Sequence, residues 1–448
     1  MRYSVNTDFY LNAYPDLRQN LHTNIKHNLN DRLNQHYNEC GKNENRLACE
    51  NQFYDMYPDF DISYYVKYNR DLKKLCREEL LAHFHMYGHI EGRKYKNESR
   101  FQFTPDKEKY IPEINFTKSK ILNIKEYDEH DFKLSIISED TWICKRLRKE
   151  YENMNKNFIA DKIEDADIVW IISSWEINKN IRKKLENKIV VITIHHIDSE
   201  KIKDIGEYMK NLEEIASVYH IIDMGTYNKI KNYTEKKIFY QPFWVDENDF
   251  YEIKDKKKIR EKHNLNRDSF LVGSFQRDTE GNSIQNKNYE PKLSKGPDIF
   301  CDVIKILSKK YSNLTVLLTG YRRQYIMSEL DKLGIKYYYK ELVSVKELNE
   351  LYNCLDLYVI SSRTEGGPKA LFECAITKTP LISTPVGATD EIIHPDNIYL
   401  PINIEQVLNT EFYTDFSYDN VQKYVTSNSN NIFNNFFSTC KSLFSKDI

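Results

Sequence analysis

The chain has 448 residues, room for two or three domains rather than a single core. Its 65 Lys+Arg and 67 Asp+Glu nearly cancel to a net charge of −2, which excludes a general polyanion or nucleic-acid binder, because such proteins need a basic excess to displace counterions from phosphates. Hydrophobic residues at 40% and aromatics at 13% exclude long disorder, and no apolar run approaches the length of a transmembrane helix.

Met1–Asp8 carries no apolar signal-peptide core. The cysteines, at 40, 49, 76, 144, 301, 354, 374 and 440, form no C-x-x-C pair. Zinc ribbons and redox motifs are therefore unsupported, and a cytoplasmic setting is expected. Residues 1–98 read as an all-helical module of two repeated units, about 7–46 and 61–93. Phe9–Leu17 followed by His36–Arg46 matches Tyr64–Leu72 followed by His83–Arg93. Each unit reads as paired short helices that bury aromatic faces, with a glycan- or partner-binding role as the alternative. His36, His83, His85 and His89 suggest a metal, and the last two have a helical spacing of zinc ligands. No nearby Cys or carboxylate set completes a tetrahedral site, so no metal is assigned. The polar stretch from about 94 to 118, with Pro105 and Pro112, reads as a linker.

From Lys120 short apolar runs alternate with longer amphipathic stretches, the pattern of βαβ units and parallel sheets. A first domain over 118–245 offers strands at 133–137, 168–172, 189–194, 218–222 and 237–240. Tyr240–Asp246 breaks the rhythm and reads as a connection, with Phe243 and Trp244 packing at a hinge. A second domain over 246–400 restarts at 269–275, then 314–320, 335–339, 355–360 and 380–384. Residues 401–448 read as helices packing back on the body. The fold class is α/β, with two Rossmann-like domains facing a cleft at the carboxyl ends of their strands.

One segment carries chemistry. Ser361–Ala375 follows a buried strand and opens a helix. Gly366 and Gly367 let backbone approach a ligand, and Pro368 suits a first helical turn. The free amides around Lys369, Ala370 and Leu371 form an anion site suited to a diphosphate. Glu365 faces the cleft, and Glu373 is placed to accept hydrogen bonds from a ribose diol.

These residues resemble the retaining glycosyltransferases of family 4, with their two-domain GT-B fold. The resemblance covers roughly 120–448 and rests on Glu365 and Glu373 around the Gly-rich turn, on Leu351–Leu357 before it and on Thr379–Ala388 after it. It implies that Gly273 and Arg277, in Val272–Arg277, and Lys295, in Ser294–Asp298, grip the donor diphosphate. It places His195, with His196 as competitor, near the transferred sugar, and Glu365 against the sugar hydroxyls. Base contacts are expected from backbone at Glu341–Val343, with Val343 as the site residue. The implied catalytic set is Glu365, His195, Arg277 and Lys295. The co-substrate is a UDP- or GDP-sugar, with no further cofactor and no metal. The implied activity is retaining transfer of a hexose-type sugar to a glycan, protein or lipid-linked acceptor. Peripheral membrane contact stays open. Two departures stand out: Ser138–Trp142 replaces the family's glycine-rich first loop, with Trp142 a candidate for shaping the acceptor side, and a polar insert, 278–294, separates Arg277 from Lys295 as either flap or plain surface. A non-catalytic glycan-binding scaffold and a nucleotide-sugar epimerase are the alternative functions.

Overall fold

The computed structural model describes residues 5–14, 17, 29–42, 44, 46–57, 60, 62, 65–66, 69, 72, 75–88, 95, 120–140, 142–197, 202, 204–281 and 289–444. His89 and, apart from Tyr95, all of the segment read as a linker lie outside these residues up to Ser119. The chain divides into two compact units, 1–114 and 115–448.

In the first unit the described helices are α1 (Thr7–Ala13), α2 (Leu29–His36), α3 (Glu50–Met56) and α4 (Arg77–His83). Helices α2 and α4 each run on into a single π-helical turn, Tyr37–Gly41 and Phe84–Gly88. The same pairing holds each end in place: Tyr10 Oη lies 3.2 Å from His36 Nδ1, and Tyr65 Oη lies 2.9 Å from His83 Nδ1. His85 is buried and meets the Tyr57 hydroxyl at 3.1 Å. Three of the histidines that suggested a metal are thus partners of tyrosines. Phe53, Phe60, Phe84 and Tyr65 pack edge-on or tilted around a common centre. This aromatic cluster, with Leu33, Leu47, Leu80 and Leu81, supplies the buried apolar area of the unit.

The second unit holds two five-stranded parallel sheets. The first runs β1 (Leu134–Ile137), β2 (Ile168–Ile171), β3 (Ile189–Ile194), β4 (Val218–Ile221), β5 (Lys237–Tyr240) in spatial order 1-2-3-4-5. An isolated parallel bridge between Leu134 and Ile159 adds a short edge beyond β1. The chain therefore leaves β1 in one direction and returns to β2 on the other side. That reversal makes the β1/β2 gap a topological switch point. Helix α5 (Trp142–Met154) covers one face through Cys144, Leu147 and Tyr151, a helical stripe. Helix α6 (Ile205–Glu213) covers the other through Met209 and Leu212.

The second sheet contains β6 (Phe270–Ser274), β7 (Leu314–Thr319), β8 (Tyr337–Lys340), β9 (Leu357–Ile360) and β10 (Leu381–Ser383), in order 10-9-6-7-8. Here the reversal falls between β6 and β9. Helices α7 (Pro297–Lys310), α8 (Val345–Cys354) and α9 (Lys369–Ile376) flank it. Strands β3, β7 and β9 are buried along their whole length, which is why they read as unbroken apolar runs. The last helix, α10 (Thr426–Phe444), sends Phe433, Phe436, Phe437 and Cys440 into the core of the first sheet. The spacing of those four residues is one helix face. Among the described residues no helix is long and apolar enough to cross a membrane.

Candidate active site

A cavity of about 880 Å³ opens between the two sheets at the carboxyl ends of their strands. Arg277 follows β6 and Glu365 follows β9, so both emerge at the switch point of the second sheet. Of the residues singled out from sequence, His195, Arg277, Lys295, Val343, Glu365, Gly366, Gly367, Pro368, Lys369, Ala370 and Glu373 all line this cavity. Gly273 and Leu371 do not. Gly273 sits inside β6, and a Cβ there would lie 2.3 Å from Leu355 Cδ1, so its role is to let a core side chain in. Leu371 is fully buried and belongs to the core beneath α9.

Lys295 and Glu365 form the centre. Lys295 Nζ lies 2.5 Å from Glu365 Oε1, and Ser362 Oγ donates to Glu365 Oε2 at 2.8 Å. The carbonyl of Lys295 accepts from Gln276 Nε2 and from Ser361 Oγ, both at 3.1 Å. Gly296 makes this possible. Its φ is +58°, and a Cβ would come within 1.8 Å of the Ser361 carbonyl oxygen. Only glycine lets the turn before α7 pass so close to the end of β9.

Gly366 plays the matching part across the cleft. A Cβ on it would lie 1.7 Å from the His195 carbonyl oxygen, so the turn after β9 rests against the end of β3. Helix α9 then begins at Lys369 without a side-chain cap. Among the described residues the N–H groups of Gly366, Gly367, Lys369 and Ala370 have no acceptor, whereas Leu371 N–H bonds the Pro368 carbonyl at 2.9 Å. This is the arrangement of a helix start that binds anions.

The other two residues of the motif are differently employed. Glu373 is 3% exposed, and both its oxygens are engaged, by Arg146 Nη2 at 2.8 Å and by the Tyr352 hydroxyl at 2.8 Å. The expected ribose carboxylate is therefore also a link between domains, because Arg146 stands on α5. Lys369 directs its ammonium to the Trp244 carbonyl in the interdomain connection. Burial brings its pKa down to about 8, aided by the Arg146 charge, so it remains cationic at neutral pH without pointing at a ligand. Glu150 completes the group, 3.1 Å from Arg146 Nε and accepting from Trp244 Nε1 at 2.7 Å. With Asp246 and Asp249 it forms a carboxylate cluster close enough to share a cation, but Arg146 already provides one and none of the three lines the cavity.

His195 donates from Nε2 to the Ile172 carbonyl at 2.8 Å. A carbonyl can only accept, so the neutral ring keeps Nδ1 as its acceptor nitrogen. Burial lowers its pKa to about 4, with a smaller push from His196, and the ring is neutral at pH 7. His196 also lines the cavity and is exposed. Trp142 opens α5, but its side chain lies outside the described residues.

The insert after Arg277 is anchored at its base. Thr279 bridges Pro291, and Lys292 N–H bonds the Asp278 carbonyl at 2.7 Å. Residues 282–288 lie outside the described residues.

Residues 288–408 match the family described as Glycosyl transferases group 1. The match spans about a quarter of the chain, so the likeness is one of this segment to that family. A sucrose-phosphate synthase from Thermosynechococcus elongatus superposes with a TM-score of 0.50 at 13% identity, over 69% of this chain and 81% of that one. It shares the fold of two Rossmann-like domains facing a cleft, the GT-B arrangement. The Anabaena protein Alr3699/HepE, solved in complex with UDP and glucose, gives 0.48 at 14% identity, over 66% and 82%. No curated protein gives a significant match to the sequence.

Several residues that shape the cavity were not singled out from sequence. Arg323 is fully buried and bonds Asp278 Oδ2 at 2.5 Å, the Thr319 carbonyl at 2.6 Å, Ser274 Oγ at 3.1 Å and the Ser274 carbonyl. It thereby fixes the chain that carries Arg277. Arg146 and Tyr352 hold Glu373. Trp175 and Tyr208 line the first-domain wall. The signal for Arg323 was its place just after β7, at the cleft end of a buried strand, where an unpaired charge would be costly.

Proposed function

We propose that the chain is a metal-independent, retaining glycosyltransferase that moves a hexose-type sugar from a UDP- or GDP-sugar to an acceptor hydroxyl. The observation that carries this reading is the convergence of Arg277, Lys295 and the unpartnered amides of 366, 367, 369 and 370 on one interdomain cavity. The donor's pyrophosphate gains negative charge as its bond to the sugar C1 breaks. Two cations and a helix start aimed at that group stabilise the transition state more than the bound donor. They supply the charge that a divalent ion supplies elsewhere.

Glu365 has a different part. Paired with Lys295, it is an ionised acceptor at the cavity wall, suited to the hydroxyls of the donor sugar. Neutral His195 offers Nδ1 to a hydroxyl of the sugar or the acceptor. In a same-face reaction the acceptor oxygen bonds to C1 as the C1–O bond to phosphate breaks. The acceptor's proton passes to the departing phosphate oxygen. No carboxylate nucleophile is needed, and the charge on the phosphate is what Arg277 and Lys295 hold.

The test is release of nucleotide diphosphate from UDP-glucose, UDP-N-acetylglucosamine and GDP-mannose, in EDTA. Turnover of at least one donor is expected, falling tenfold or more in K295A and E365A, a loss of about 1.4 kcal/mol or more of transition-state stabilisation. A folded protein that neither binds nor cleaves any of the three would instead support the glycan-binding scaffold.

A further inference from the structure

The first-domain wall of the cavity has a feature that the donor chemistry does not use. Trp175 is 58% exposed and lines the cavity, whereas Trp170 and Trp244 are fully buried. It stands in the short turn after β2, and Glu139 stands in the loop after β1. Both therefore lie at the switch point of the first sheet, where open α/β sheets bind ligands.

The indole is held, not loose. Its Nε1–H donates to Glu139 Oε2 at 2.8 Å, and Glu139 N–H in turn donates to Ser173 Oγ at 3.1 Å. The ring lies 5.7 Å from His195, tilted by 43°. Beside it, the Ser174 and Tyr208 hydroxyls meet at 3.3 Å. The loop that lacks the family's glycines thus supplies a carboxylate that orients a tryptophan. The outcome is a flat apolar face rimmed by a carboxylate, hydroxyls and an imidazole, next to His195.

We infer that Trp175 is the acceptor platform and that the acceptor is a carbohydrate, a pyranose stacking its C–H face on the indole with its hydroxyls on the Glu139, Ser174 and His196 rim. This rests on the transferase reading for its meaning, but not for its test. A pyranose has one apolar face and an equatorial belt of hydroxyls, which matches the wall group by group. An acyl chain would leave the rim's polar groups desolvated and unpaired, at a cost. Pre-orientation of the ring by Glu139 removes part of the ordering cost of binding.

Saturation-transfer NMR on the whole chain tests it, with cellobiose, lactose and N,N′-diacetylchitobiose as probes and UDP and GDP binding measured in parallel by calorimetry. At least one disaccharide should show ring C–H saturation, weakened about tenfold in affinity by W175A and largely retained in W175F. E139A should weaken it by about threefold, through loss of ring orientation. UDP affinity should be unchanged in all three variants. No disaccharide signal in the wild type, or equal binding by W175A, overturns the inference. Trp175-dependent disaccharide binding with no affinity for either UDP or GDP in the wild type would keep this site and sink the transferase reading instead.

Discussion

Arg323 illustrates how much of the site depends on a side chain that never reaches the cavity. Its guanidinium is sealed among Asp278, Ser274 and Thr319, and the segment it fixes carries Arg277 to the cavity wall. Removing one member of a buried ion pair leaves the other charge unpaired, so R323M should cost about 3–5 kcal/mol in urea unfolding. The double variant R323M/D278L should regain most of that loss. It should not restore donor affinity, because the loop is no longer tethered. A double variant as unstable as the single one would show that packing, not charge, is at stake. Sequence revealed the residue types of the site far better than their partners. Lys369 and Glu373 both line the cavity, and their side chains, four apart on α9, also share one face. That face meets Arg146, Tyr352 and the Trp244 carbonyl. Nothing in the local sequence says which way a helix is rotated against a neighbouring domain.

Elements were more legible than contacts, for a physical reason. A strand covered on both faces must be apolar throughout, which is how β3 reads; β3 and β5 are found at the residues read from sequence, and the other strands differ by one or two residues at an end. Turn chemistry was legible where a glycine or proline marked it. It misled at Gly273, where a glycine inside β6 makes room for Leu355 rather than for phosphate. Gly296 is the contrasting case. G296A adds a Cβ at a positive φ and against the Ser361 carbonyl, two penalties at one position. The turn must shift, and Lys295 shifts with it. The expected outcome is a drop of at least tenfold in nucleotide release with a loss of about 1–3 kcal/mol in stability. G334A is the control, since Gly334 also has positive φ (+65°) but has nothing within 4 Å of a Cβ and lies away from the cavity. Equal loss of nucleotide release in the two variants would assign the effect to backbone strain alone.

On the scale of the whole molecule, the two sheets are tied by polar contacts that sequence patterns do not encode. Arg146 joins α5 to α9, Lys369 reaches the connection, and the Tyr240 and Tyr424 hydroxyls both donate to Glu391. Behind the cavity, Trp170 Nε1, Thr193 Oγ1, His220 and the Gln241 carbonyl form one buried chain of hydrogen bonds. His220 is wholly enclosed, and burial lowers its pKa to about 3, while that of His195 falls to about 4. Both values lie below the ordinary 6.5, so the unfolded chain takes up these protons first as the pH drops. Stability from these two groups is therefore complete above about pH 6.5 and falls on acidification toward pH 4. For His220 alone the slope approaches about 1.4 kcal/mol per pH unit. Urea midpoints measured from pH 7.5 to 4.5 should fall accordingly. In H220Q the amide retains a donor for the Gln241 carbonyl and has no proton to gain, so the stability is lower at pH 7 but the curve is flatter. A wild-type slope that survives unchanged in H220Q would place the acid sensitivity elsewhere, with His195 the next group to replace.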